Sequence, residues 1–396
     1  MAAPSIVRFL ALFCLTICPG RLLAGEEMHR LDGTPLTNSQ IELEVARLMK
    51  ARQVTGLAVA LIEDGKPVFV ETYGLANVEK KKPLARDTIL YAASLTKLAY
   101  TYMVMQLVDE GVIDLDQSIA KYLPRPLPEY EKYADLANDE RWRKLTPRIL
   151  LDHTTGFPNF RFLNLDEKLD FKFDPGTRYA YSGEGYNLLQ FVLEAGLGLD
   201  AGKEMQRRVF DRFGMKRTSM TWREDFSPNV ADGYDEHGKM ERHDRRGAAR
   251  AAGSMDTTID DYASFLAGVL RGEGLSAATR DEMLKPQIAI HSAHQFPTLE
   301  ETQNPANAKI GLSSGLGCVL FQSPVGLAFY KGGHNEWTDN LAIGIPAKKR
   351  GLLLMSNSIL AETIYPALVH YLWGETNLPW SWEYSVPGLP PPVPTD

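Results

Sequence analysis

Cysteine is scarce: the 396-residue chain has three, and two of them, Cys14 and Cys18, fall in an apolar stretch near the N-terminus. Only Cys318 is left for the body of the chain, so no intrachain disulfide can form there, and a large domain does not need one. Cys318 lies within the strand-like run GLGCVLFQ and reads as core, not nucleophile. Basic blocks are missing as well. A net charge of −7, with no Lys/Arg stripe among aromatics, argues against a nucleic-acid partner. Neither a phosphate loop nor a dinucleotide fingerprint occurs. His291 and His294 stand without a glutamate between them or an evident third ligand, so no metal and no other cofactor is expected.

Long hydrophobic runs are also lacking. The apolar run from Phe9 to Cys18 is ten residues, too short to cross a bilayer. Arg8 before it, and the small residues Ala24 and Gly25 after it, predict a secretory signal over residues 1–25. Loss of Arg8 and Arg21 with that segment takes the net charge from −7 to about −9. The mature chain is then expected to be periplasmic or secreted, with no membrane span and a small-molecule substrate.

What remains is ordinary globular material, 44% hydrophobic and 23% charged, ample for a core. Residues 39–52 read as an amphipathic helix. GLAVALIEDGKPVFVETYG reads as two strands turning at Asp64-Gly65. A helix opening at Ser94 is apolar on most faces and should be deeply buried. From about 115 to 290 the pattern is helical and loop-rich, its best helix lying in TTIDDYASFLAGVL with Thr257 as N-cap. Strand signals return in GLGCVLFQ, LAFYKGG, LAIGIP and GLLLMSN, followed by a helix over 359–373 and an extended Pro-rich tail. The expected fold is α/β (α+β): one antiparallel sheet from residues 26–115 and 290–373 flanked by helices. A mostly helical domain (116–289) is inserted, with a cleft between the two parts and the tail over 374–396.

Within YAASLTKLAY, Ser94 and Lys97 are three apart and share a helix face about 5–6 Å apart between Cβ atoms. A serine can cap a helix and a lysine can snorkel to water, but an amine so placed can also take the serine's proton. Three further stretches bear on this pair. LLDHTTGFPNF carries His153, as suited to structure as to chemistry. FDPGTRYAYSGEGYNLLQ places Tyr181 between a proline-glycine turn and a helix, where packing is the plainer role. FYKGGHNEW ends a strand at Lys331 and follows it with Gly332 and Gly333, which would let a ligand approach the backbone closely.

In order and spacing these stretches resemble the β-lactamase and penicillin-binding-protein family of serine hydrolases, in particular its class C β-lactamase and family VIII carboxylesterase branch. Ser94-Leu95-Thr96-Lys97 matches the family's Ser-x-x-Lys, Tyr181-Ser182-Gly183 sits where it has Tyr-x-Asn, and Lys331-Gly332-Gly333 matches its Lys-Thr-Gly element. The resemblance runs from about residue 40 to 373. It implies a β-lactamase/transpeptidase-like fold and a serine acyl-enzyme mechanism, with Ser94 as nucleophile and Lys97 and Tyr181 as the acid–base pair. It also implies an oxyanion hole from the backbone N–H groups of Ser94 and His334, with Lys331 supplying field or meeting a substrate carboxylate.

The departure is Gly183. The family asparagine hydrogen-bonds the side-chain amide of penicillins and D-peptides, and glycine, which can also adopt a positive φ, has no group to do so. β-Lactams, D-peptide-like amides and small esters all stay open, with the lean towards broad ester or strained-amide activity. A carboxylesterase without significant β-lactamase activity, or a non-turnover penicillin-binding sensor, are the alternatives. A rival motif, GLSSG at 311–315, fits the nucleophile elbow of α/β-hydrolases in letters only, because that elbow needs a strand before it and a helix after it.

Overall fold

A computed structural model describes residues 28–383 and 390–395. The expected signal segment, with Cys14 and Cys18, lies outside the described residues.

The first helix, α1 (Asn38–Arg52), begins with a capping box: Thr37 accepts from the Gln40 backbone and the Gln40 side chain accepts from Thr37 N–H. Next comes the hairpin expected at Asp64-Gly65, made of β1 (Gly56–Glu63) and β2 (Lys66–Asn77), with Asp64 and Gly65 both at positive φ. The helix α2 (Leu95–Asp109) follows, buried from Leu95 to Leu107 as its lack of a polar face predicts. Helix α3 (Gly183–Leu197) starts just past Tyr181, and α4 (Ile259–Arg271) opens at Thr258, which accepts from Asp261 N–H. The cap is therefore one residue later than the expected Thr257, whose side chain instead bonds the Thr218 hydroxyl in the interior. Four strands close the sheet: β3 (Val319–Ser323), β4 (Gly326–Asn335), β5 (Thr338–Ile345) and β6 (Arg350–Ser356). Helix α5 (Tyr365–Trp373) continues from a 3-10 turn over Ile359–Ile364, together filling the expected 359–373 span.

The sheet has nine strands, all antiparallel, in the order Ile288–Ala289, Ser313–Ser314, β3, β4, β5, β6, β1, β2, Lys82–Pro83. The C-terminal strand β6 pairs with the N-terminal strand β1, so the sheet joins both ends of the chain as expected. Side chains alternate across it. Leu57, Val59 and Leu61 face one apolar core with α1 and α5, while Ala58, Ala60 and Ile62 face a second core with α2 and α4.

Two segments depart from the expected division. Helix α4, assigned by its position to the helical segment, packs on the sheet against β6, β2, β1 and β5. The tail after residue 373 is not simply extended: Trp380–Glu383 forms a short helix, α6, with Trp382 and Glu383 buried. No described helix is long and apolar enough to cross a membrane.

Candidate active site

Ala93 turns the chain into α2 at φ +46, a left-handed conformation that costs about 1–2 kcal/mol for a residue with a Cβ. Such strain concentrates where a side chain must be aimed. Ser94 follows at the N-cap, and its side chain caps nothing. The capping role open to a serine here is not used; its hydroxyl takes part in a different set of contacts.

Lys97 Nζ lies 3.0 Å from Ser94 Oγ and 2.5 Å from the Ala252 carbonyl oxygen, to which it donates. Tyr181 donates its O–H to Ser94 Oγ at 2.8 Å. Lys331 Nζ donates to the Gly332 carbonyl at 2.7 Å and reaches the Tyr181 hydroxyl at 3.4 Å. The two ammonium groups flank the Tyr181 ring, each 4.9 Å from its centroid. These contacts form one chain in space: Lys331, Tyr181, Ser94, Lys97, Ala252.

Burial sets the protonation of this chain. Lys97 is wholly buried, and burial first, then the charge of Lys331, holds its pKa well below the ordinary lysine value. Lys331 is brought down to about 8 by burial, against the opposing pull of Glu383. Tyr181 moves the other way: burial pushes its phenol up, only partly offset by its bond to Ser94. A neutral amine beside a hydroxyl and a protonated phenol is the state these directions favour near neutral pH.

The second half of the site is the strand edge. Among the described residues, β4 has no neighbour on its β3 side beyond Tyr330, because the β3 pairing ends at Val319 opposite Tyr330. Residues Lys331 to Asn335 therefore run along the cleft paired only with β5. Gly333 is needed for close approach: a Cβ there would sit 2.8 Å from both the Ala92 carbonyl and the Leu95 nitrogen. The strand thus lies directly against the turn that carries Ser94. His334 is neutral, lowered to about 4 by burial and by the two lysines.

The structure brings Ser94, Lys97, Tyr181, Lys331, Gly332 and His334 to one cleft of about 900 Å³, shared with residues 159–163, 248–250 and 252–253. Gly333 and Gly183 are not among the residues that line it. Gly183 has no positive φ, which corrects that expectation; its restriction is steric. A Cβ there would meet the Phe160 ring at 2.4 Å, and Phe160 stacks on Phe162 with ring centroids 5.2 Å apart. An aromatic wall fills the place beside Gly183.

His153 proves structural. Its Nδ1 accepts from Ser182 N–H at 3.1 Å, and its ring packs 4.4 Å from that of Tyr181, holding the tyrosine in place. Cys318 is buried core with its thiol pushed up to about 12. Ser313 sits in a short strand paired on both sides, its hydroxyl bonded to the Gly311 carbonyl, with no strand–turn–helix around it. His294 pairs with Glu300, and no group of three ligands able to hold a metal occurs among the described residues.

Sequence reasoning missed Ala252, Phe160 and Glu383. Ala252 acts through its backbone and leaves no side-chain signal.

The helix that carries Ser94 lies against a strand edge, with a buried amine beside the serine, and the class of enzyme is the serine hydrolases. The chain belongs to the β-lactamase family: the family described as Beta-lactamase matches residues 41–361. It is 23% identical over 299 residues to a β-lactamase of Pseudomonas fluorescens, covering 72% of this chain and 75% of that protein. It is 28% identical over 234 residues to the monacolin J acid methylbutanoyltransferase of Aspergillus terreus, covering 50% of this chain and 56% of that one. In fold it is similar to the octameric penicillin-binding protein homologue from Pyrococcus abyssi, with a TM-score of 0.66 at 21% identity over 82% of this chain and 74% of that one.

Proposed function

We propose that the protein is an exported hydrolase that opens small esters or strained amides through an acyl-enzyme on Ser94. The single observation that carries this reading is the position of Ser94 Oγ, 3.0 Å from the buried Lys97 amine and 2.8 Å from the Tyr181 hydroxyl. Lys97, neutral through burial, accepts the Ser94 proton as the oxygen attacks the substrate carbonyl. The Ser94 and His334 backbone N–H groups receive the developing oxyanion, a type of contribution worth about 3–4 kcal/mol in comparable sites. Tyr181 gives its proton to the leaving group, so the acyl-enzyme holds a Tyr181 phenolate beside a protonated Lys97, the phenolate ready to take a proton from water. Water then attacks the acyl-enzyme by the reverse path, returning the proton to Ser94.

Lys331 supplies a positive field behind Tyr181. Export is supported by the sequence of residues 1–25 alone. The relative named for methylbutanoyl transfer supports acyl chemistry beyond β-lactams in this family.

Turnover separates an enzyme from a sensor. With p-nitrophenyl butyrate in excess, nitrophenol release is expected to continue well past one equivalent per site. A single stoichiometric burst that then stops would replace the enzyme by a non-turnover acyl acceptor.

The wall beside Gly183 favours esters over amide-bearing β-lactams. Installing the family's asparagine alone would collide with Phe160, so the informative variant is Gly183→Asn on a Phe160→Ala background. Relative to Phe160→Ala, it should raise kcat/KM for an acylamino β-lactam over a small p-nitrophenyl ester by roughly two- to tenfold, the worth of one hydrogen bond. An unchanged or falling ratio, in protein that still reacts fully with a fluorophosphonate, would show that Gly183 does not face the substrate amide.

A further inference from the structure

The mechanism leaves the buried carboxyl of Glu383 in the cleft unused. Glu383 ends α6, which lies past residue 361, where the family match stops. The short helix is anchored by its neighbours: Trp382 is 1% exposed and donates its indole N–H to Ser292 Oγ, and Leu378 is buried before it. This anchoring delivers the Glu383 carboxyl into the cleft, where it lines the same space as Ser94, Tyr181 and Lys331 at 3% exposure.

Its hydrogen bonds fix its orientation. Glu383 Oε2 accepts from Gln295 Nε2 at 2.5 Å and from the Tyr330 hydroxyl at 3.3 Å. Gln295 is held in turn by the Tyr179 hydroxyl, which donates to its Oε1 at 2.9 Å. A buried carboxyl held this way has one cation to answer. Lys331 is the foremost influence drawing Glu383 towards its charged form, and Glu383 is the foremost influence keeping Lys331 protonated. The effect is reciprocal, and both groups are buried where they line the cleft.

An ammonium facing an open cleft is the natural partner of an anionic substrate. Here the chain supplies that anion itself. A substrate carboxylate entering beside Lys331 would be the second negative charge on one ammonium, and like charges confined together disfavour each other. We propose that Glu383 is an internal counter-charge for Lys331 that makes the cleft select neutral substrates and turn away those carrying a carboxylate. It is a specificity residue, outside the acid–base chain. The inference rests on the hydrolase reading of Ser94.

The test compares matched esters at pH 7.5, above the Glu383 value of about 7 and below the Lys331 value of about 8. One pair is p-nitrophenyl butyrate and p-nitrophenyl hemisuccinate, with the charge on the acyl group. The other is phenyl acetate and 3-acetoxybenzoate, with the charge on the leaving group. Glu383→Gln keeps the shape and removes the charge. It should raise the anionic-to-neutral ratio of kcat/KM at least about tenfold in one pair, mainly through KM, since removing one like-charge contact acts on binding. Glu383→Asp, which restores the charge, should stay within about twofold of wild type.

Ratios unchanged in both pairs, in protein that still reacts stoichiometrically with a fluorophosphonate, would overturn the proposal and leave the Ser94 reading standing. A Glu383→Gln protein that fails to react while Glu383→Asp reacts would also overturn it, because the carboxylate would then serve reactivity and not selection. Wild-type protein that does not react at Ser94 would remove the hydrolase reading itself, and this inference with it.

Discussion

Ser94→Ala is expected to reduce ester turnover by at least about 10⁴-fold, the scale on which loss of a serine nucleophile acts when its neighbours function as a unit. The same variant should lose all fluorophosphonate labelling. The substitution removes one oxygen from a partly buried position at the helix N-cap, where no backbone N–H of the helix depends on it. Stability should therefore change little, and a thermal melt on the same preparation checks that. Ser313→Ala is the control: its hydroxyl serves the Gly311 carbonyl in a short strand paired on both sides, so rate and labelling should match wild type. Labelling that survives Ser94→Ala and disappears with Ser313→Ala would overturn the site.

Lys97→Arg should lower turnover at least about a hundredfold, the low end of general-base catalysis, because it fixes a cation where the mechanism uses a neutral amine. The reason is protonation. Burial brings the Lys97 amine well below its usual pKa, so that it offers a lone pair to Ser94, whereas a guanidinium stays charged at any accessible pH. The sign follows for pH: rate should rise as Lys97 loses its proton and fall through about 8 as Lys331 loses its own. The larger side chain enters a fully buried position, so Lys97→Met provides a second reading of similar volume. Near-normal turnover in either variant, with the fold intact by circular dichroism, would remove the lysine from the base role.

Much of this site was legible because its elements carry local signals. Ser94 and Lys97 are one helical turn apart, and that spacing alone brings their side chains together once the helix forms. Lys331 and the glycines after it read as a strand edge open to approach, and the structure gives Gly333 a definite reason in the Ala92 and Leu95 backbone. The hairpin at Asp64-Gly65 and the four C-terminal strands followed from turn residues and apolar runs.

What stayed hidden depends on contacts distant in sequence. Nothing near Phe160 says that its ring will lie against Gly183, because that contact is made by the fold bringing a loop over the start of α3. Helix α4 reads as an amphipathic helix in a helical stretch, and only packing reveals that its partner is the sheet. Glu383 was the most concealed. Its helix, Trp380–Glu383, is a single turn in a proline-rich tail, too short to give a periodicity, and its importance comes from where Trp382 anchors it.

The central claim, covalent chemistry at Ser94, has a direct measurement. The enzyme is mixed with p-nitrophenyl butyrate, quenched in acid during steady-state turnover and digested, and the peptides are read by mass spectrometry. The account predicts a butyryl adduct on the peptide containing Ser94, absent from the Ser94→Ala protein and lost when substrate is exhausted before the quench. A butyryl adduct on another serine, together with continued hydrolysis by the Ser94→Ala protein, would contradict it.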